Sequence, residues 1–340
     1  MIDITIAIPV YNVEKYVEKS LLSALNQDFS GTYEILVVDD KGTDKSMDIV
    51  RRVIENHKKG NIVRIVEHPE NKGLGPARNT AIDEANGKYL FFLDSDDWIT
   101  ENCLTVLYGK AIETKAQVTV GSLCRVNEST NEQTITQYED IFVEHTSAGV
   151  YLLVQGIFMN IEVWNKLFDL NFLRTNNIRS EHRIIEDSIF DFNMRALVER
   201  IAMSSEVTLF YNIRDNSILT KIFEKKGTRE SAFVYCDIIK QCQNLIQIKY
   251  SDIDGVFDLY YLRIMYSIGA LIRSKYDVNE MLLIKETFKG VNGFIPKSKF
   301  LLVKKYRCFY VLMKFFDCYE GFKTLSKMIS FVQRIKTIKK

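Results

Sequence analysis

The sequence predicts an α/β fold, a mostly parallel sheet flanked by helices, followed by a helical C-terminal region. Three observations carry that prediction. Short runs rich in Val, Ile and Phe alternate with longer amphipathic stretches through the first 125 residues. The unusual polar residues fall where those apolar runs stop. Beyond residue 229 the apolar spacing turns helical, with few strand signals.

Residues 5–10, 34–39, 62–68, 89–93 and 118–125 read as buried strands, because they are short and rich in Val, Ile and Phe. Residues 13–27, 45–57, 75–85 and 101–114 read as the helices between them. In the first, Tyr16, Val17, Leu21, Leu22 and Leu25 make one apolar face. Strand alternating with helix argues parallel pairing with helices on both faces. Ligands of such sheets bind outside the carboxyl ends of the strands. Residues 138–211 mix the two periods. Residues 229–250, 254–274, 279–288 and 300–336 read as helices. The polar, basic stretch 220–229 is the expected boundary between a domain at 1–220 and a helical region at 221–340.

Length fits one large domain with a smaller appendage. Hydrophobic residues at 46% against charged residues at 26% exclude a disordered chain. The net charge of +1 hides an asymmetry. Residues 297–340 hold twelve Lys or Arg against Asp317 and Glu320 alone, so the remainder is acidic. A basic tail on an acidic body fits an anionic partner, a membrane surface or a polyanion. Nucleic acid is not among the expected partners. The six cysteines form no CxxC pair, which fits small buried hydrophobes in a reducing compartment. No secretory signal precedes the first strand. The longest charge-free run, 145–161, is too polar to span a membrane, so a cytoplasmic protein, peripheral at the inner membrane face, is expected.

The chemistry sits at the strand ends. The first strand runs into Pro9-Val10-Tyr11-Asn12 and the second into Asp39-Asp40-Lys41-Gly42-Thr43-Asp44. The loop before the third helix reads Asn71 to Asn79, NKGLGPARN. The fourth strand stops in Asp94-Ser95-Asp96-Asp97. Acidic residues packed after a buried strand repel one another unless a cation lies among them. Oxygen-rich clusters of this kind suit Mg²⁺ or Mn²⁺ alongside phosphate oxygens. The structural alternative makes Asp94 and Asp97 helix caps.

In order and spacing, IAIPVYN, VVDDKGTDKS, ENKGLGPARN, GKYLFFLDSDDW, VWNKLF, EDSIF and YNIRDNSI resemble the family 2 glycosyltransferases over residues 4–220. The resemblance implies the GT-A nucleotide-diphospho-sugar transferase fold and metal-dependent, inverting transfer of a hexosyl or N-acetylhexosaminyl group. Bacterial surface polysaccharide biosynthesis is the implied setting. It implies that Pro9, Tyr11 and Asp40 bracket a uracil base, with Asp39 bracing the turn. Arg78 would lie near the base and diphosphate. Asp96 would be the direct metal ligand, for Mn²⁺ or Mg²⁺, with Ser95 beside it and Asp94 nearer the ribose. Asp187 would be the catalytic base, next to a structural Glu186 on the acceptor side. Trp164 and Lys166 would flank the acceptor, and Tyr211 and Arg214 would close over the diphosphate. The donor would be a UDP-sugar and the acceptor a saccharide or lipid-linked oligosaccharide. Lys41 stands where the family more often has glycine.

Other classes fit less well. A dinucleotide-binding dehydrogenase needs a glycine-rich turn after the first strand, and PVYN has none. A sugar nucleotidyltransferase would want a Gly-rich basic loop there. The four histidines show no HxxxH or HExxH spacing, and His182 near Asp187 is expected at the surface. A catalytically silent sugar- or nucleotide-binding subunit on the same fold is the alternative, and the joint presence of Asp40, Asp96 and Asp187 argues against it.

Overall fold

Strand β1 (Ile2–Val10) is central in one half of a ten-stranded sheet, flanked on one side by β2 (Tyr33–Asp39) and β3 (Val63–Glu67) and on the other by β4 (Gly87–Phe92). These four pair in parallel, and β1, β2 and β4 have the largely apolar, buried character of strands covered on both faces. The computed structural model describes residues 2–182, 185–214, 229–273, 282–284 and 286–287. The expected boundary at 220–228 and the expected helix at 300–336 lie outside the described residues.

Helices α1 (Val17–Leu25), α2 (Ser46–Asn56) and α3 (Leu74–Glu84) make the crossovers of the parallel half, and α4 (Cys103–Thr114) follows the two-residue strand β5 (Trp98–Ile99). The first helix begins later than its apolar periodicity predicts. Residues 13–16 form a turn instead, with the Val13 amide donating to Ser46 Oγ at 2.8 Å. Val17, Leu21 and Leu25 of α1 and Leu104 and Leu107 of α4 pack with Ile4, Ile6, Ile8, Ile35 and Phe91, all at most 1% exposed. Each such side chain contributes about 1.5–3 kcal/mol by leaving water.

The second half of the sheet is mixed. Beyond β4 come β9 (Lys166–Asp169), β6 (Val118–Asn127), β10 (Arg200–Ile213) and β5. Strand β9 is antiparallel to both β4 and β6, whereas β6 and β10 are parallel. The short strands β7 (Gln133–Thr136) and β8 (Ile141–Glu144) pair with β6 and β10. Helices α5 (Ala148–Val154), α6 (Leu170–Thr175) and α7 (Asp187–Leu197) lie between the strands in sequence.

The chain divides into two compact units, Met1–Gly149 with Met159–Asp215, and Val150–Phe158 with Asn216–Lys340. In the second, α8 (Arg229–Leu245) runs into a π-helical turn (Ile246–Tyr250), and α9 (Val256–Arg273) follows. Tyr235, Ile238, Ile239, Cys242 and Ile246 recur at helical spacing and are buried, as are Leu259, Tyr260 and Ile264. Cys103, Cys124, Cys236 and Cys242 are free and buried, as the spacing of the cysteines suggests. Among the described residues no helix is long and apolar enough to cross a membrane.

Candidate active site

The parallel half delivers its strand ends to one edge, where the chain must leave extended geometry. After β1, Tyr11 stands 46% exposed and Asn12 adopts φ 51°. Asn12 Oδ1 accepts the Thr43 amide at 2.8 Å, which ties the first strand end to the second. After β2, Asp39 Oδ1 accepts the Lys41 amide at 2.9 Å, so Asp39 braces a turn in which Lys41 takes φ 58°. The lysine found where glycine is commoner thus still occupies the left-handed region. Asp44 receives Ser46 N and Oγ on one oxygen and the Glu14 amide on the other. Burial raises its pKa, but those hydrogen bonds together hold it below the ordinary value.

Asp40 has a different position from the one its expected contact with a uracil edge suggests. Its carboxylate is buried and accepts the Lys72 and Gly73 amides at 2.8 Å each, Asn71 Nδ2 at 3.0 Å and, at 2.7 Å, His68 Nδ1. It braces the loop that opens α3, where Gly73 takes φ 98°. His68 continues to Thr80 Oγ1 at 2.9 Å.

Strand β4 ends in Asp94, Ser95, Asp96 and Asp97. One carboxylate oxygen from each of Asp94, Asp96 and Asp97 lies within 4.8 Å of the other two. Asp97 Oδ1 accepts the Asn212 amide at 2.8 Å, while its buried Oδ2 has no hydrogen-bond partner. Burial, then the charges of Asp96 and Asp94, push the Asp97 carboxyl well above its ordinary range. Burial likewise raises Asp96, against the opposing pull of Arg214. Carboxylates crowded at this cost, with one buried oxygen unsatisfied, fit a hard divalent cation that takes oxygen ligands. The cap expected of Asp97 is replaced by this contact to β10.

Arg78, expected near base and diphosphate, is instead enclosed at 1% exposure. Its Nη2 donates to Asp94 Oδ1 at 2.8 Å, and its Nη1 donates to Glu186 Oε1 and to Asp187 Oδ1, the latter at 2.5 Å. One guanidinium therefore joins the end of β4 to the start of α7. Burial works against this cation, but Asp187, Asp94 and Glu186 together raise its pKa above the usual arginine value. Burial also drives Asp187 well above the ordinary aspartate range despite Arg78, with Glu186 adding to the rise. Glu186 is raised for the same first reason, burial.

Arg214, just beyond β10, donates to Asp96 Oδ2 at 2.5 Å and lies 4.9 Å over the Tyr16 ring. Tyr16 gave no functional signal in the sequence, since it reads as part of an apolar helix face. Trp164 is 4% exposed and stacks on Tyr211, with centroids 5.1 Å apart at 15°. Its faces belong to the core, so a sugar-stacking role is not what the geometry offers. Lys166 is also buried, its Nζ donating to Asn160 Oδ1 at 3.0 Å and to the Glu162 carbonyl. Asn165 between them takes φ 58° and joins Gly121 O to Thr208 Oγ1. The structure thus gathers Asp94, Ser95, Asp96, Arg78, Glu186, Asp187 and Arg214 around one edge, with Pro9 and Tyr11 at the end of β1. It adds Asp97 and turns Trp164 and Lys166 inward.

A sheet of this order with an acidic cluster at its carboxyl edge defines the GT-A class of fold. Residues 5–176 match the family described as glycosyl transferase family 2, and the chain belongs to that family. Similar proteins include glycosyltransferase GlyA of Streptococcus pneumoniae, 30% identical over 220 residues, or 62% of this chain and 29% of that protein. The poly(ribitol-phosphate) beta-glucosyltransferase of Bacillus spizizenii is 31% identical over 214 residues, 62% of this chain and 32% of that protein. The chain therefore spans less than a third of the length of these two relatives. Among solved structures, S. aureus TarS 1–349 in complex with UDP-GlcNAc superposes with a TM-score of 0.71 at 20% identity, covering 98% of this chain and 92% of that one. A mannosyltransferase from Pyrobaculum calidifontis in complex with GDP-Man and Mn²⁺ gives 0.54 at 14% identity, covering 94% and 83%.

Proposed function

We infer that this chain transfers a sugar from a nucleotide-sugar, a UDP-sugar in the first instance, to a saccharide or lipid-linked acceptor with inversion. The setting is bacterial surface polysaccharide assembly in the cytoplasm. The catalytic domain is residues 1–220 and the helical region 221–340. The observation that carries this reading is the bridge made by Arg78, which sets a half-buried carboxylate, Asp187, across from the acidic cluster at the end of β4. In-line displacement needs that arrangement: leaving-group charge on one side and a proton acceptor on the other.

Tyr11 is exposed at the end of β1, where its ring can stack on a uracil base. Asp40 shapes the neighbouring loop, and Pro9 fixes the strand end beneath it. Asp96 would hold Mn²⁺ or Mg²⁺ with Asp94 and Asp97 at hand, and the cation, when bound, neutralises charge on the diphosphate. Arg214 pairs with Asp96 in this structure and is placed to turn toward the diphosphate. Asp187 accepts the acceptor hydroxyl proton as that oxygen bonds to the anomeric carbon, and the bond from that carbon to the diphosphate oxygen breaks. The products are the glycoside, the nucleoside diphosphate and a proton held on Asp187. Glu186 shares Arg78 with the base and keeps it oriented.

Purified protein incubated with a panel of UDP- and GDP-sugars and Mn²⁺ tests the reading. Hydrolysis of a UDP-sugar is expected. Binding of UDP without hydrolysis of any donor would favour the silent binding subunit. The basic segment 297–340 we assign to an anionic membrane surface, because lysines there alternate with Phe, Leu and Ile. Salt-sensitive flotation with anionic but not neutral vesicles is expected, and equal flotation with both overturns it.

A further inference from the structure

Helix α3 touches the segment that leads into Asp187 at three places on one face. Asn79 Nδ2 donates to the Ser180 carbonyl at 2.7 Å, and the Ser180 amide donates to Asn79 Oδ1 at 2.9 Å. One side chain thus satisfies both backbone groups of a buried residue 101 positions away. Four residues earlier, Gly75 packs so closely that a Cβ there would lie 2.0 Å from the His182 carbonyl oxygen and 3.1 Å from Glu186 Cβ. Arg78 supplies the third contact, to Glu186 and Asp187. Residues at these spacings share one side of a helix.

What this face holds is strained. Ile185, two residues before Asp187, adopts φ 60°, in the left-handed region that β-branched residues rarely enter. Its carbonyl accepts the Ser188 amide at 3.3 Å and so closes the turn that opens α7. Backbone of this kind persists only where its surroundings impose it. Relaxing Ile185 to an ordinary conformation would rotate the chain at the point where Asp187 leaves it.

We propose that Asn79 and Gly75 are positioning residues for the transfer reaction: they pin Ser180, His182 and Glu186 onto α3, hold Ile185 left-handed and thereby aim the Asp187 carboxylate. The motif that opens α3 thus serves the acceptor side of the site. The proposal rests on the reading of Asp187 as the base.

Full-length Asn79→Ala, Ile185→Gly and the double variant are compared with the parent chain. Turnover is measured on the UDP-sugar hydrolysed fastest in the donor panel, UDP binding by calorimetry with Mn²⁺, and hydrogen exchange by mass spectrometry. Asn79→Ala is expected to lower kcat about 10- to 100-fold, the scale set by misplacing a reacting group by an ångström. UDP affinity should stay near that of the parent, the unfolding temperature should fall because both backbone groups of Ser180 lose their partner, and exchange should quicken in peptides covering 180–187. Adding Ile185→Gly should restore part of the lost kcat, because glycine takes the left-handed conformation without restraint. A merely supporting Asn79 would show no such recovery. Wild-type turnover in Asn79→Ala, or a loss that Ile185→Gly leaves untouched, overturns the proposal. Should Asn79→Ala fail to fold, Asn79→Ser is judged by the same measurements. Asp187→Asn is run alongside: full activity there sinks the base reading itself, whereas an inactive Asp187→Asn beside a fully active Asn79→Ala sinks only the positioning role.

Discussion

Asp187 Oδ1 lies 2.5 Å from Nη1 of Arg78, a guanidinium that also grips Asp94, so the acidic end of β4 and the first residue of α7 share one buried cation. Asp187→Asn keeps the shape of this contact and removes the proton acceptor. Turnover should fall by about 10²–10⁴-fold, with UDP affinity little changed. Glu186→Gln should lose far less, because the amide oxygen still accepts from Arg78 and Glu186 is not the proton acceptor. Near-parental turnover in Asp187→Asn, or greater sensitivity at Glu186, places the base elsewhere.

The same carboxyl fixes a pH dependence. Burial raises the Asp187 pKa well above its model-peptide value, and a base works only when ionised. The acid limb of kcat should therefore fall at a pH clearly above about 3.9, the ordinary aspartate value. It should be absent from the UDP binding curve. A limb at the ordinary value would show that the carboxyl is solvated in the working enzyme.

Metal binding should carry a matching signature in stability. Asp96 and Asp97 are raised by burial, so the folded chain holds protons on them that the unfolded chain has released. Their contribution is complete below the unfolded pKa and is lost as pH rises through the folded value. A cation competes with those protons and replaces the lost stabilisation. The rise in unfolding temperature on adding Mn²⁺ should thus be larger at about pH 7.5 than at about pH 5.5. Asp96→Ala should abolish it. An increment independent of pH, or undiminished in the variant, would mean the ion binds elsewhere.

Much of this fold and site is legible in the sequence. Strands β1, β2, β4 and β6 announce themselves because burial on both faces leaves little polar alternation, and the acids at the ends of β2 and β4 stand out against that background. Strand β9 does not, since it is four residues long and opens on Lys166. A buried ammonium in a central strand is tolerable because it is paired, with Asn160 and the Glu162 carbonyl among its partners, and the fold alone supplies those. The place of Arg78 was hidden for the same reason. Its motif points to the site, but its partners lie 16 and 109 positions away in sequence. Burial decides Trp164 in the same manner, because an apolar ring fits a core and a sugar face equally well.

Asp40 tests whether the loop before α3 is built from its carboxylate. Four donors converge on it, and Asp40→Ala strands two backbone amides together with Asn71 and His68. The loss in folding stability should reach about 1.5–3 kcal/mol, the worth of hydrogen bonds to a charged group. UDP affinity should fall with it, because the loop borders the base site. Weakened UDP binding with unchanged denaturant stability would instead assign Asp40 to the base alone.

Lys41 offers a change in the opposite direction. The residue is exposed, and φ 58° places its Cβ against the following carbonyl, a conflict of roughly 1–2 kcal/mol for an L-residue. Glycine removes the conflict, although its greater freedom in the unfolded chain costs about 0.5–1 kcal/mol in return. The first effect is the larger. Lys41→Gly should therefore stabilise the chain by about 0.5–1 kcal/mol, measured by urea unfolding at constant slope. The Asp39 bond to the residue 41 amide survives, because it uses only backbone on that side. UDP affinity should hold, since the bond to Asp39 that shapes the turn uses the residue 41 backbone. A destabilised Lys41→Gly would mean that the lysine head group, and not the turn geometry, keeps this loop in place.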